Sequence, residues 1–255
     1  MLKARRILHT ATDYFLFVFF IVTGFVFFAY PMYIFALIKR RSGRSEFQKA
    51  TKHVFRAMFR LSPSISKITV QGKENLLKYQ NYVIVPTHRS FLDYLLIESV
   101  LHNIVLFTNK PLTRFFIYRH VSNLLGAHIA KDGSPASFFM LFETLKKHLD
   151  NDTNVLIFPE GTRNHLNTLM PFKQGAFKLA IAAKKPILPI VILGSDGIYK
   201  KGSMLRIDAT PKEVLIDVLE PIFAKDGEKA DEFCARVRGV LQQRQDLLLG
   251  LSARQ

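Results

Sequence analysis

Hydrophobic and polar positions change their pattern along this chain, most of all near residue 62. Before that point, the run 14–38, YFLFVFFIVTGFVFFAYPMYIFALI, is almost unbroken in apolar side chains. About twenty-five such residues are enough to cross a hydrocarbon core of ~30 Å as a helix. Gly24 and Pro31 interrupt the run. Proline removes a backbone donor and kinks a helix, so a kinked helix that enters one leaflet and returns fits as well as a crossing. A cleaved secretory leader does not fit, because its apolar core would be shorter and would end in a small-residue site. From 44 to 61 the period becomes helical. Phe47, Ala50, Val54, Met58 and Leu61 recur on one side, with Lys49, Lys52, Arg56 and Arg60 on the other. A basic amphipathic helix beside an apolar segment reads as a membrane-surface element. The alternative is a helix packed on its own domain with a solvated basic face.

Past Pro63, short β-rich runs alternate with helical segments. KITVQG, YVIVP, NIVLFT, GAHIAK, NVLIF and PILPIVIL predict strands, and 91–101, 111–125, 136–149 and 175–183 predict helices. Strands separated by helices imply an α/β fold with a largely parallel central sheet flanked by helices. Near the end, MLRIDATPKEVLIDVLEPI predicts two strands joined by a turn at Thr210 and Pro211, followed by a helix over 228–249. The expected organisation is a helical membrane anchor over 1–62 and an α/β domain over 63–255.

Charge narrows the partners. The formal net charge of +16 calls for an anionic surface. Lys3, Arg5 and Arg6 precede the apolar run and Lys39, Arg40, Arg41 and Arg44 follow it, so the positive-inside rule gives no orientation. No nucleic-acid reading motif accompanies the charge, which favours an anionic membrane over nucleic acid. The lone cysteine, Cys234, excludes an internal disulfide framework and fits a reducing compartment. His9, His53, His102, His120, His128, His148 and His165 are scattered without metal-ligand spacing, so no metal is expected.

Two stretches follow predicted strands and therefore fall at the carboxyl rim of the sheet, where ligands collect in open α/β folds. In THRSFLD, His88 and Asp93 are candidates for a general base and the carboxylate that holds its tautomer. Convergence of the two requires a turn between them, since positions five apart on a helix lie ~140° apart. The competing reading is a capping box, in which Ser90 caps a helix and Asp93 turns back to the cap amide. No G-x-S-x-G elbow supplies a nucleophile, so a transferase here would use the acceptor's own hydroxyl. In FPEGTRN, Gly161 permits close backbone approach, Thr162 offers a hydroxyl, and Arg163 presents a planar fork suited to phosphate. MPFKQGAFK adds Lys173 and the start of another helix, whose N-terminus favours an anion. The competing reading is a polar loop in which Glu160 and Arg163 pair with each other.

THRSFLD, FPEGTRN with PFKQGAFKLA, and KPILPIVIL in this order resemble the successive motifs of the glycerolipid acyltransferase family, over roughly residues 67–194. The branch of similarity is the 1-acyl-glycerol-3-phosphate acyltransferases. The resemblance implies that His88 is the general base with Asp93 as its partner, and that Glu160, Gly161, Thr162 and Arg163 hold the acceptor phosphate. It also places a basic phosphate-binding residue near GAHIAKDG, where Lys131 stands, and makes Pro189 structural. Thr87 stands where the family usually has Asn, Lys131 where Arg is commoner, Asn164 where Ser is frequent and Asn167 where Gly is.

What this implies is transfer of a fatty acyl group, without a cofactor, from acyl-CoA or acyl-carrier protein to a lysophospholipid hydroxyl. The first expected acceptor is 1-acyl-glycerol-3-phosphate, with phosphatidate as product. The catalytic domain is then expected on the cytosolic face of a membrane, the inner one in a bacterium. Acylation of another lysolipid, such as lyso-ornithine lipid, is the alternative within the same chemistry. A non-catalytic lipid-binding protein of the same fold is the alternative from another class.

Overall fold

The structure is a computed structural model and describes residues 2–24, 26, 30–38, 43–108, 127–129, 134–198 and 211–251. Among these residues the helices are α1 (Leu2–Gly24), α2 (Tyr30–Ile38), α3 (Gly43–Leu61), α4 (Asp93–Val100), α5 (Pro135–Asp150), α6 (Gly175–Ala183) and α7 (Ala230–Leu248). The strands are β1 (Ile65–Gln71), β2 (Val83–Pro86), β3 (Ile104–Thr108), β4 (Ala127–Ile129), β5 (Asn154–Ile157), β6 (Ile187–Leu193) and β7 (Lys212–Val218). The expected helix over 111–125, Lys131 and the first of the two C-terminal strands lie outside the described residues. Each of the six strands expected from β-rich runs is present.

The strands form one seven-stranded sheet in the order β1-β7-β6-β2-β5-β3-β4. β2 pairs in parallel with both β5 and β6, and β3 with both β5 and β4. Val83 stands opposite Val155 on one side and Ile187 on the other. All four residues of β2 and of β5 are buried, as are the first six of β6. Parallel strands covered on both faces read as continuous apolar runs, which is why YVIVP, NVLI and PILPIVIL were visible without alternation.

The chain divides into two compact units. The first is Met1–Thr69 with Arg89–Asn103 and Ile192–Ile216, and the second is Val70–His88 with Ile104–Val191 and Asp217–Gln255. In the first unit, residues 14–24 of the apolar run lie in α1 and residues 30–38 in α2. No described helix is long and apolar enough to cross a membrane. The α1 side chains Leu8, Phe15, Phe19 and Val22 are exposed at helical spacing, whereas Asp13 is buried and accepts hydrogen bonds from the Ser62 and Ser64 hydroxyls. A carboxylate inside an apolar helix thus ties α1 to the segment after α3.

α3 buries more than its predicted stripe. Phe47, Ala50, Val54 and Met58 are inside as expected, and so are Gln48, Thr51, Phe55 and Phe59, while Leu61 is 60% exposed. α1, α2 and α4 all pack against it, so its buried arc is wider than one neighbour would require. Its basic side is correspondingly narrower. Lys52 is half-buried, Arg56 donates to the Ser99 carbonyl at 2.6 Å and Lys49 pairs with Glu46 at 2.9 Å. α3 is thus packed on three neighbours and keeps a basic rim.

Where α4 packs on α3, Glu98 is fully buried, facing the hydroxyls of Tyr94 and Thr51 and the Lys52 ammonium. Burial pushes its carboxyl from the usual 4.5 up to about 8. The folded chain therefore keeps a proton that the unfolded chain has released, and stability falls as pH rises through the window between those values. Glu98→Gln should remove that slope. Between pH 5 and 8 the variant should gain stability over the parent on the order of 4 kcal/mol, read as diverging thermal midpoints. Parallel midpoints across that range would show that Glu98 does not retain its proton.

Candidate active site

β2 delivers His88 to the sheet's carboxyl edge in the second unit. Thr87, directly after the last paired residue Pro86, donates its N–H to Ile190 O at 3.0 Å. His88 then leaves the ladder, half-buried, with its ring stacked on Phe158 at 3.8 Å between centroids. Its backbone is anchored on both sides. The carbonyl accepts from the Asn164 N–H at 2.7 Å, and the amide points to Glu160 Oε1 at 3.4 Å. The histidine and the loop that follows β5 are therefore one piece.

Glu160 organises that loop. It is buried, and its Oε2 accepts from the Asn164 side-chain amide at 2.8 Å and from the Met170 N–H at 3.0 Å. Asn164 in turn accepts from the Leu166 N–H at 2.9 Å and donates to Thr168 O at 2.8 Å. Glu160 thus braces the loop with its acceptor oxygens, a role suited to a carboxylate, which cannot donate to a phosphate. No ion pair joins it to Arg163. The paired polar loop is not what forms.

The donors stand on the braced frame. Gly161 has φ +66°, and a Cβ there would stand 3.0 Å from Lys173 Nζ, so glycine both permits the turn and makes room for the ammonium. Lys173 is held at its backbone, its N–H donating to Pro159 O at 2.9 Å, while its side chain is exposed. Thr162 and Arg163 follow Gly161, each half-buried. The Arg163 guanidinium has no carboxylate partner among the described residues. Two residues beyond Lys173, α6 begins at Gly175. The second unit therefore holds His88, Glu160, Gly161, Thr162, Arg163 and Lys173 on adjoining segments.

Asp93 belongs to the first unit, at the start of α4. It is completely buried, and its Oδ2 accepts from the Arg89 N–H at 2.6 Å and the Ser90 N–H at 2.8 Å. The turn-back that a capping box requires is thus present. Ser90 does its part differently, accepting from the Leu92 N–H at 3.3 Å. Asp93 Oδ1 accepts from the Ser195 hydroxyl at 2.7 Å, and Arg89 pairs through its guanidinium with Asp196 at 2.8 Å. Sequence reasoning did not find Ser195, Asp196 or Arg89. Their signal was position alone, since GSDG directly follows β6 at the same sheet edge.

Cys234 offers no substitute nucleophile. It is buried in α7 near Phe172 O, and burial pushes its thiol up, away from the thiolate form that reacts. Among the described residues no group of three His, Cys, Asp or Glu side chains is placed to hold a metal ion.

Comparison with known proteins follows the same outline. A family described as Acyltransferase matches residues 67–193. A 1-acyl-sn-glycerol-3-phosphate acyltransferase alpha of Mus musculus is 31% identical over 162 residues, covering 61% of this chain and 55% of that protein. A 1-acyl-sn-glycerol-3-phosphate acyltransferase of Saccharomyces cerevisiae is 28% identical over 208 residues, covering 73% and 60%. The chain spans about half the length of the mammalian relatives it matches. The crystal structure of the 1-acyl-sn-glycerophosphate acyltransferase PlsC from Thermotoga maritima superposes with a TM-score of 0.80 at 23% identity, over 97% of this chain and 98% of that one. That likeness shows a shared fold. Residues 67–193, which contain His88, Asp93 and the Glu160 loop, are thus the part of the chain that matches the acyltransferase family.

Proposed function

We propose that the chain transfers a fatty acyl group from acyl-CoA or acyl-carrier protein to the free hydroxyl of 1-acyl-glycerol-3-phosphate, forming phosphatidate. The observation that carries this reading is the tie between His88 and the 160–173 loop. A candidate base and an anion-ready set of donors share one braced frame, through the 2.7 Å bond from the Asn164 N–H to His88 O and the Glu160 brace. An acceptor held by its phosphate at Arg163 and Lys173 would present its hydroxyl to a base whose backbone cannot drift from that phosphate site. Such fixed geometry is where much of the rate of a two-substrate transfer comes from.

The chemistry is direct transfer. The His88 imidazole takes the proton of the acceptor hydroxyl as its oxygen attacks the thioester carbonyl, and Asp93 supports the imidazolium that results. Collapse of the tetrahedral intermediate breaks the carbon–sulfur bond, and the departing thiolate takes the proton back from the imidazolium. Glu160 acts through the loop, and Gly161, Thr162, Arg163 and Lys173 meet the phosphate, with Lys131 as a further cation. The exposed apolar stripe of α1, with Ile34, Phe35 and Ile38 of α2, supports attachment by insertion into one leaflet. Lys49, Arg56 and Arg60 on α3 are suited to anionic headgroups. The site would then work on the cytosolic face, where both thioester donors are found.

A lysolipid panel tests the proposal directly. Purified protein in mixed micelles should form phosphatidate from 1-acyl-glycerol-3-phosphate with at least one of the two donors, read by mass spectrometry of the product. Lyso-ornithine lipid and lysophosphatidylethanolamine should be acylated at least about tenfold more slowly, because neither presents a phosphate monoester. Faster acylation of either would move the acceptor assignment, and no product from any pair would end the enzymatic reading.

A further inference from the structure

The 195–196 turn reaches the H-x4-D segment at two points, and neither contact was needed to recognise the motif. Gly194 has φ +85°, and a Cβ there would stand 2.0 Å from the Glu213 carbonyl oxygen, so only glycine lets the chain leave β6 in this direction. The short helical turn Ser195–Gly197 follows at once. Its first residue donates to Asp93, and its second pairs with Arg89. Ser195 and Asp93 are both completely buried, so neither gains from water what it would lose by separating.

We propose that Ser195 is a positioning residue for acyl transfer, fixing the plane of the Asp93 carboxylate through the bond from its hydroxyl to Oδ1. The inference rests on the reading of Asp93 as the support of the His88 imidazolium. Both backbone donors, Arg89 N–H and Ser90 N–H, reach the same oxygen, Oδ2. The Ser195 hydroxyl, donating to the second oxygen at 2.7 Å, holds the carboxylate's plane from its other end. Each carboxylate oxygen has two acceptor directions, so the serine does not compete with an imidazole N–H for Oδ1. Arg89 and Asp196, joined at 2.8 Å, hold the two turns together beside this contact. Ser195 would touch neither substrate, so its effect should lie in turnover and not in binding.

A double-mutant cycle with purified full-length protein separates this role from a structural one. Ser195→Ala should lower kcat roughly tenfold or more, the scale of a hydrogen bond to a charged group, with both KM values within about twofold of the parent. In an Asp93→Asn background the same change should cost less than about threefold, because the carboxylate that Ser195 orients is gone. Thermal midpoints of all four proteins report folding, and Ser195→Cys, a weaker donor of similar shape, replaces Ser195→Ala if the alanine variant does not fold. Near-parent kcat in Ser195→Ala overturns the proposal. Equal losses in both backgrounds also overturn it, while leaving Asp93 in its assigned role. If Asp93→Asn alone has parent kcat, the reading beneath the proposal fails and the proposal with it.

Discussion

His88→Ala is expected to lower kcat by about 10²–10⁴-fold, the usual contribution of a placed general base, with the fold retained. Retention follows from how the residue is held. Its structural ties run through the backbone, from the Asn164 N–H to His88 O and from the His88 N–H to Glu160, and alanine keeps both. What the substitution removes is the half-buried ring and its stacking on Phe158. The loss should therefore appear in kcat and in kcat/KM alike, the pattern of an interaction made in the transition state. Steady-state assays in mixed micelles beside a thermal melt would check it. A variant that melts like the parent and retains more than a tenth of its kcat would remove His88 from the mechanism.

The fold was legible wherever burial is uniform. A central parallel strand is covered on both faces, so YVIVP, NVLI and PILPIVIL stand out as apolar runs whatever their neighbours are. The helix at 175–183 was equally clear, and α6 has the bounds Gly175–Ala183. The N-terminal run was less so. Hydropathy alone counts apolar residues across Gly24 and Pro31, whereas the chain places 14–24 in α1 and 30–38 in α2. Periodicity along α3 identified one buried stripe, but its true width depends on three packing neighbours that no local pattern encodes.

The candidate site divides along the same line. His88, Asp93 and the residues 160–163 lie within short contiguous motifs, so their chemistry could be read from residue type and spacing. The residues that hold them were silent. Asn164 was visible only as a departure from a commoner serine, yet it joins His88 to Glu160. Ser195 meets Asp93 across 102 positions of sequence, and a serine after a strand looks like any turn residue. Groups that react have distinctive side chains. Groups that position use ordinary ones, and only the folded chain distinguishes them.

Arg163→Ala should raise the acceptor KM by roughly ten- to a hundredfold, the scale of about 1.5–3 kcal/mol for hydrogen bonds to a charged group. The argument starts from the guanidinium's surroundings. It is half-buried and has no carboxylate partner among the described residues, while the loop's own carboxylate, Glu160, is committed to amide donors. A cation so placed has given up part of its hydration without an internal counter-charge, and a phosphate would supply one. Arg163→Lys should fall between alanine and the parent, since it keeps charge but loses the planar fork. Lys173→Ala should have a smaller effect, because an exposed ammonium remains well hydrated and gains less from the ligand. The headgroup provides an internal control. With lysophosphatidylethanolamine, whose phosphate is a diester with a single charge, the KM penalty of Arg163→Ala should shrink. Initial rates for the three variants on both lysolipids, with donor saturating, would measure this. An acceptor KM in Arg163→Ala equal to the parent's would take the phosphate away from this loop, whatever His88→Ala had shown.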